Sequence, residues 1–131
     1  MTFRNEWVNG VWYNNSGKVD YLYKATWKYG KKGWYFEDSS KWYAKNQWQK
    51  IDNKWYYFDS EGYMAYNEYR DGCWLGSDGA WVEAYSGGHW ENTNGKWWYA
   101  DGKWYAKNQT IWIDGVKYKF NKKGYLSKTY K

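Results

Sequence analysis

The heptapeptide Lys41-Trp-Tyr-Ala-Lys-Asn-Gln47 returns intact as Lys103-Trp-Tyr-Ala-Lys-Asn-Gln109, 62 residues later. An internal repeat constrains a fold strongly, because each copy has to be a structural unit that buries its apolar surface against its neighbours. The same offset joins Gly62-Tyr63-Met64 to Gly124-Tyr125-Leu126, and Asn9-Gly10-Val11-Trp12 to Asp71-Gly72-Cys73-Trp74. In the middle it slips to 63, where Trp27 answers Trp90 and Trp34 answers Trp97. It returns to 62 after Asp38-Ser39-Ser40-Lys41, which is one residue longer than Asp101-Gly102-Lys103. A length change of this kind is tolerated best in a surface turn. The chain therefore reads as one repeat domain over 1–131, made of two copies, 5–67 and 67–129.

Each copy divides again into three pieces of hairpin size. They centre on Asn9-Gly10, Gly30–Gly33 and Asp52-Asn53, then on Asp71-Gly72, Asn94-Gly95 and Asp114-Gly115. Asn-Gly and Asp-Gly between aromatic runs signal a type I′ turn, which needs positive φ at both central residues. Runs such as Lys54-Trp-Tyr-Tyr-Phe58 and Val116-Lys-Tyr-Lys-Phe120 follow the turns, and no stretch has a helical period. These signals predict an all-β solenoid of about six stacked β-hairpins, two tandem copies of a three-hairpin unit.

The material for a core is unusual. Aromatics make up 27% of the chain, with 14 Trp and 17 Tyr, while only 11 residues are Val, Ile or Leu. Too few aliphatic side chains remain for a conventional interior, so the rings have to serve as both core and surface. Tyr and Trp suit that double use because each joins a large apolar body to a polar tip. Cys73 has no second cysteine to pair with, and a half-buried strand position suits it. His89 is also alone, so no zinc-type cluster is expected and no cofactor is called for. No apolar run is long enough to span a membrane. Met1-Thr-Phe-Arg-Asn-Glu6 shows no signal peptide, and a secreted or cell-surface setting within a longer protein is expected.

The third hairpin shows which face is interior. With Asp52-Asn53 at its tip, Ile51 faces Lys54, Lys50 faces Trp55, Gln49 faces Tyr56 and Trp48 faces Tyr57. Alternation then puts Gln49, Ile51, Tyr56 and Phe58 on one face, and Trp48, Lys50, Trp55 and Tyr57 on the other. In the second copy the first set becomes Ile111, Ile113, Tyr118 and Phe120, still apolar. The second becomes Thr110, Trp112, Lys117 and Lys119. Burying two unpaired lysines would be costly, so the first face is interior and the second is open. The open aromatics of the first copy then have two readings: packing against a neighbouring hairpin, or a cage for a ligand. Tryptophans seven apart recur as Trp27/Trp34, Trp48/Trp55 and Trp90/Trp97.

Lys54-Trp-Tyr-Tyr-Phe-Asp-Ser-Glu-Gly-Tyr-Met-Ala65, preceded by Trp48-Gln-Lys-Ile-Asp-Asn53, resembles the choline-binding, or cell-wall-binding, repeat of bacterial surface proteins and phage lysins. That resemblance implies a β-hairpin solenoid with ligands held between consecutive hairpins by two or three aromatics, sometimes closed by a methionine. Carried over position by position, Trp27, Trp34, Trp48, Trp55, Tyr57, Trp90 and Trp97 match cage positions, and Met64 matches the methionine. The sequence departs from the pattern at Thr26, Gln47 and His89, which replace the glycine before the first tryptophan. Thr110, Lys117 and Lys119 remove the aromatics of the last cage, and the lysines would repel a choline cation.

Two function classes compete. One is a non-catalytic module that recognises choline-decorated teichoic acid, another wall polymer or a glycan. The other is a protein-interaction or self-association module, including a homodimer or a diverged or engineered scaffold, because aromatic patches rimmed with charge mark such surfaces. Catalysis is disfavoured: the 14 carboxylates fall in predicted turns, with no cleft to hold two of them at a working separation. The net charge of +6 is spread over scattered lysines that guard strand edges, and no motif supports nucleic-acid binding.

Overall fold

A computed structural model describes residues 2–131. The described residues form fifteen strands and no helix, and the chain divides into two compact units between Ala65 and Tyr66. No helix in it is long and apolar enough to cross a membrane.

The first unit holds β1 (Glu6–Val8), β2 (Val11–Tyr13), β3 (Val19–Asp20), β4 (Ala25–Gly30), β5 (Gly33–Asp38), β6 (Gln47–Ile51) and β7 (Lys54–Phe58). β1–β2, β4–β5 and β6–β7 are antiparallel hairpins. The second unit holds β8 (Glu68–Arg70), β9 (Cys73–Leu75), β10 (His89–Thr93), β11 (Lys96–Asp101), β12 (Trp104–Tyr105), β13 (Gln109–Ile113), β14 (Val116–Phe120) and β15 (Leu126–Tyr130). Its hairpins are β8–β9, β10–β11 and β13–β14. Six hairpins thus turn at the six positions marked in the sequence. Asp52 and Asn53 adopt φ of 49° and 69°, the left-handed pair that a type I′ turn requires.

The hairpins of each unit are joined sideways, which the sequence did not indicate. β1 runs parallel to β6, with Glu6 opposite Lys50 and Trp7 opposite Ile51. The first unit therefore has a five-stranded sheet, β3-β2-β1-β6-β7, and a separate two-stranded one, β4-β5. In the second unit β8 runs parallel to β13, giving β15-β14-β13-β8-β9 beside β10-β11-β12. One side-chain and one backbone hydrogen bond reinforce each parallel joint. The Asn9 amide donates to Asp52 Oδ1 at 2.8 Å and the Asp52 amide to the Trp7 carbonyl at 2.9 Å. The second unit repeats the pair with Asp71 to Asp114 Oδ1 at 2.8 Å and Asp114 to Tyr69 at 2.8 Å. The middle hairpin is tied to the tip of the first through Ala25 to Gly10, and in the second unit through Gly88 to Gly72.

Each unit has its own small interior. In the first, Trp7, Ala25, Phe36, Ala44, Ile51 and Phe58 are buried together, with Trp12, Trp27, Tyr56 and Met64 packed against them. In the second the group is Tyr69, Tyr99, Ala106, Ile111, Ile113 and Phe120, with Trp74, Trp90, Tyr118 and Leu126 around it. The same positions recur, so the duplication extends to the packing. The interior face assigned from the third hairpin is observed: Gln49, Ile51 and Phe58 are buried, as are Ile111, Ile113 and Phe120.

One expectation is corrected. The carboxylates were expected in turns, but Glu6 lies in β1, Asp38 ends β5 and Asp101 ends β11, and all three are buried. The physical reason is that their oxygens are hydrogen-bonded: Asp101 accepts from the Tyr69 hydroxyl and the Gly87 amide, and Asp38 caps the turn after its strand. Asp38 Oδ1 accepts from the Ser40 amide and hydroxyl and from the Trp42 amide. Such local bonds satisfy a buried oxygen without an ion pair.

Candidate functional site

Alternation in the hairpins sets the display of rings. In β6–β7 the registered pairs are Trp48 with Tyr57 and Lys50 with Trp55, as the turn position predicts. The Trp48 and Tyr57 rings meet edge to face at 5.4 Å. Trp55 is 38% exposed beside Lys50 on the same face. In β4–β5, Trp34 is 45% exposed and meets Tyr29 edge to face at 5.1 Å. Trp27 lies elsewhere: it packs against Phe36 at 5.3 Å, Tyr56 at 4.9 Å and Phe58 at 5.6 Å, as part of the interior wall. Met64 is half-buried against the same cluster, and its amide donates to the Trp34 carbonyl at 2.7 Å.

In the second unit the Trp90 and Trp97 rings come within 6.4 Å, nearly perpendicular. Trp90 packs inward on Tyr99, Tyr118 and Phe120, the counterpart of Trp27. Trp97 is 49% exposed and lines a cavity of about 600 Å3 with Tyr125, Leu126, Lys96, Lys122 and Lys123. Leu126 stands where the first unit has Met64. The Lys96 ammonium sits over the Tyr125 ring at 5.1 Å, so one aromatic face there already holds a cation. On the last hairpin Lys117 lies over Tyr130 at 4.8 Å, which gives that lysine a partner in place of the lost aromatics.

The eight candidate residues thus sort by depth. Trp27 and Trp90 form wall, Met64 is half-buried, and Trp34, Trp55 and Trp97 are exposed, with Trp48 and Tyr57 between them. Among the described residues no group of three or more His, Cys, Asp or Glu could hold a metal ion. Sequence reasoning missed a second set of rings. Trp7, Trp12, Tyr23 and Trp42 line a cavity of about 230 Å3 in the first unit. Tyr69, Trp74, Tyr85 and Trp104 line one of about 230 Å3 in the second. The signal was present, since the offset of 62 relates all four pairs.

Hairpins that bury one face and carry aromatics and lysines on the other define a repeat-built all-β module. Residues 46–64, which span β6–β7, match the family model of the cell wall binding repeat. Among solved structures the chain is similar to choline binding protein F from Streptococcus pneumoniae, at 32% identity and a TM-score of 0.39, over 98% of this chain and 41% of that one. It is also similar to the modular autolysin LytC from Streptococcus pneumoniae, at 25% identity and a TM-score of 0.43, over 97% of this chain and 38% of that one. A third is the pneumococcal cell wall endolysin from phage Cp-1, solved in complex with choline, at 28% identity and a TM-score of 0.42, over 79% of this chain and 30% of that one. The chain spans about two fifths or less of the length of each. No curated protein matches it.

Proposed function

We propose that the chain is a non-catalytic binding module for a bacterial cell-surface polymer, a choline-decorated teichoic acid or another wall polymer or glycan, and works at the cell surface as part of a longer protein. One observation carries the reading: the segment that matches the cell wall binding repeat is the hairpin that carries Trp48, Trp55 and Tyr57 on one face, with Trp55 exposed. An exposed ring such as that of Trp55 can hold a quaternary ammonium by cation–π attraction or stack on the apolar face of a sugar. The exposed Trp34 and Trp97 extend the same surface chemistry within each unit. In the second unit the lysines beside Trp97 favour a neutral sugar or an anionic polymer over a cation.

Tryptophan fluorescence during titration with choline chloride, against sodium chloride at equal ionic strength, tests the choline version. A saturable change that disappears in Trp55→Ala supports it. A flat response in choline, with retention on choline-free wall polymer that Trp55→Ala abolishes, assigns the module to the polymer backbone. No response to either overturns the reading, and concentration-dependent self-association under the same conditions would then favour the interaction class.

A further inference from the structure

The two cavities missed by sequence reasoning are copies of one construction. In the first unit the Trp7 ring stands 5.4 Å from Trp12 and stacks on Trp42 at 5.8 Å and 24°. In the second, Tyr69 stands 5.1 Å from Trp74 and stacks on Trp104 at 5.9 Å and 26°. Tyr23 and Tyr85 complete the two walls. Duplication has kept the rings and their spacing.

The polar lining has diverged. The first cavity holds Asp20, Asp38 and Gln49. In the second cavity Ile111 replaces Gln49 and the amide of Gln109 is the polar lining, while Val82 and Asp101, the matches of Asp20 and Asp38, do not line it. Asp101 is closed: its Oδ2 accepts the Tyr69 hydroxyl at 2.9 Å and its Oδ1 the Gly87 amide at 3.2 Å. Asp38 is half open. Its Oδ1 carries the turn bonds from Ser40 and Trp42, and Oδ2 accepts no hydrogen bond from the described residues. Trp7, which replaces Tyr69, supplies no hydroxyl, and its Nε1–H is itself buried with no hydrogen-bond partner among the described residues. The first cavity therefore combines aromatic walls with a 7%-exposed carboxylate that has a free oxygen, and with an amide beside it.

We propose that the cavity walled by Trp7, Trp12, Tyr23 and Trp42 is a binding site for a protonated primary amine, and that its copy in the second unit takes an uncharged apolar group. The rings favour any organic cation. The free Asp38 oxygen adds a preference, because a primary ammonium carries three N–H donors and forms a charge-assisted hydrogen bond, whereas a quaternary ammonium has none to give. An amino sugar or a lysine-type side chain meets this requirement. The site uses neither Trp48 nor Trp55, so it stands or falls apart from the surface proposed above.

The test follows the indole N–H signals of 15N-tryptophan-labelled protein, assigned by Trp12→Phe, Trp42→Phe, Trp74→Phe and Trp104→Phe. The probes are n-propylammonium chloride, tetramethylammonium chloride and n-butanol, at matched ionic strength. Trp12 and Trp42 should shift with propylammonium at concentrations about tenfold below those for tetramethylammonium or butanol, the size of effect a charge-assisted hydrogen bond supplies. Asp38→Asn keeps an oxygen for the turn bonds and removes the charge; propylammonium should lose its advantage. Tyr69→Phe frees an Asp101 oxygen, and Trp74 and Trp104, which answer only butanol in the parent, should begin to answer propylammonium. Tetramethylammonium binding as tightly as propylammonium in the parent protein would overturn the proposal. So would unmoved Trp12 and Trp42 signals, or full propylammonium binding by a folded Asp38→Asn protein. The probe comparison in the parent decides the matter even where a variant fails to fold.

Discussion

Asp52 Oδ1 accepts the Asn9 amide at 2.8 Å, across 43 residues, and so ties the tip of the third hairpin to the tip of the first. Asp114 and Asp71 make the same bond in the second unit. Asp52→Ala should lower stability by about 1–2 kcal/mol, since an amide loses a charged acceptor and Ala also resists the positive φ at this position. Asp52→Asn, which keeps an acceptor and tolerates that φ, should cost less than half as much. Urea denaturation of the two variants checks the difference.

Interior and open faces predict opposite outcomes for neighbouring positions of one strand. Phe58 is 0% exposed, and Phe58→Ala should cost about 3–5 kcal/mol. Trp55, on the other face, should cost about 1 kcal/mol or less on truncation and take the choline or polymer response with it. Thermal unfolding separates the pair, and a large loss on Trp55→Ala would move that ring into the core.

Asn53 occupies the second central turn position at φ 69°, where the second unit has Gly115 at 82°. Glycine adopts that region without a Cβ penalty, so Asn53→Gly should raise stability by about 0.5 kcal/mol, seen as a higher Tm.

Gly62 is a case where glycine is obligatory. Its φ is 92°, and a Cβ there would lie 2.6 Å from the Tyr43 ring. Gly124 faces Tyr105 in the same way at 2.7 Å. Alanine at either position should destabilise by about 2 kcal/mol or more, from backbone strain and the ring clash together. Equal losses at the two sites in denaturant titrations would express the repeat.

His89 carries the clearest pH dependence. Its Nδ1 lies 2.8 Å from the Gly87 carbonyl and its Nε2 3.0 Å from Glu91 Oε1. The bond to the Gly87 carbonyl, then the one to Glu91, raises its pKa above the ordinary 6.5. A raised folded value means the contribution to stability is fully present below pH 6.5 and is lost as pH rises through the folded pKa. The imidazole proton titration should therefore have a midpoint above 6.5 that falls in Glu91→Gln, measured by NMR.

How far the sequence could be read follows from where information is local. The pairings Ile51–Lys54 through Trp48–Tyr57 were readable because a two-residue turn fixes register on both sides. The interior face was readable because Trp55 and Tyr57 became Lys117 and Lys119 while Phe58 became Phe120, and solvent exposure tolerates the first changes only. The parallel joint of Trp7 with Ile51 was not, since parallel strands pair across long separations without a turn to announce them. The Trp7, Trp12, Tyr23 and Trp42 cavity was hidden for the same reason: its rings come from one hairpin and two separate loops. Asp38 looked like a turn residue because it bonds to the turn that follows it, and Asp101 because Gly102 follows it, yet both are buried and Asp101 is held by Tyr69 and Gly87.

The parallel joints also say something about heredity. Because β1 finds its partner in β6 and β8 finds its own in β13, a set of three hairpins is the smallest piece that contains a complete parallel joint. A lone extra hairpin inserted between them would part those strands, so lengthening such a chain by copying would proceed three hairpins at a time. The 62-residue offset between Lys41 and Lys103 has the length of that step.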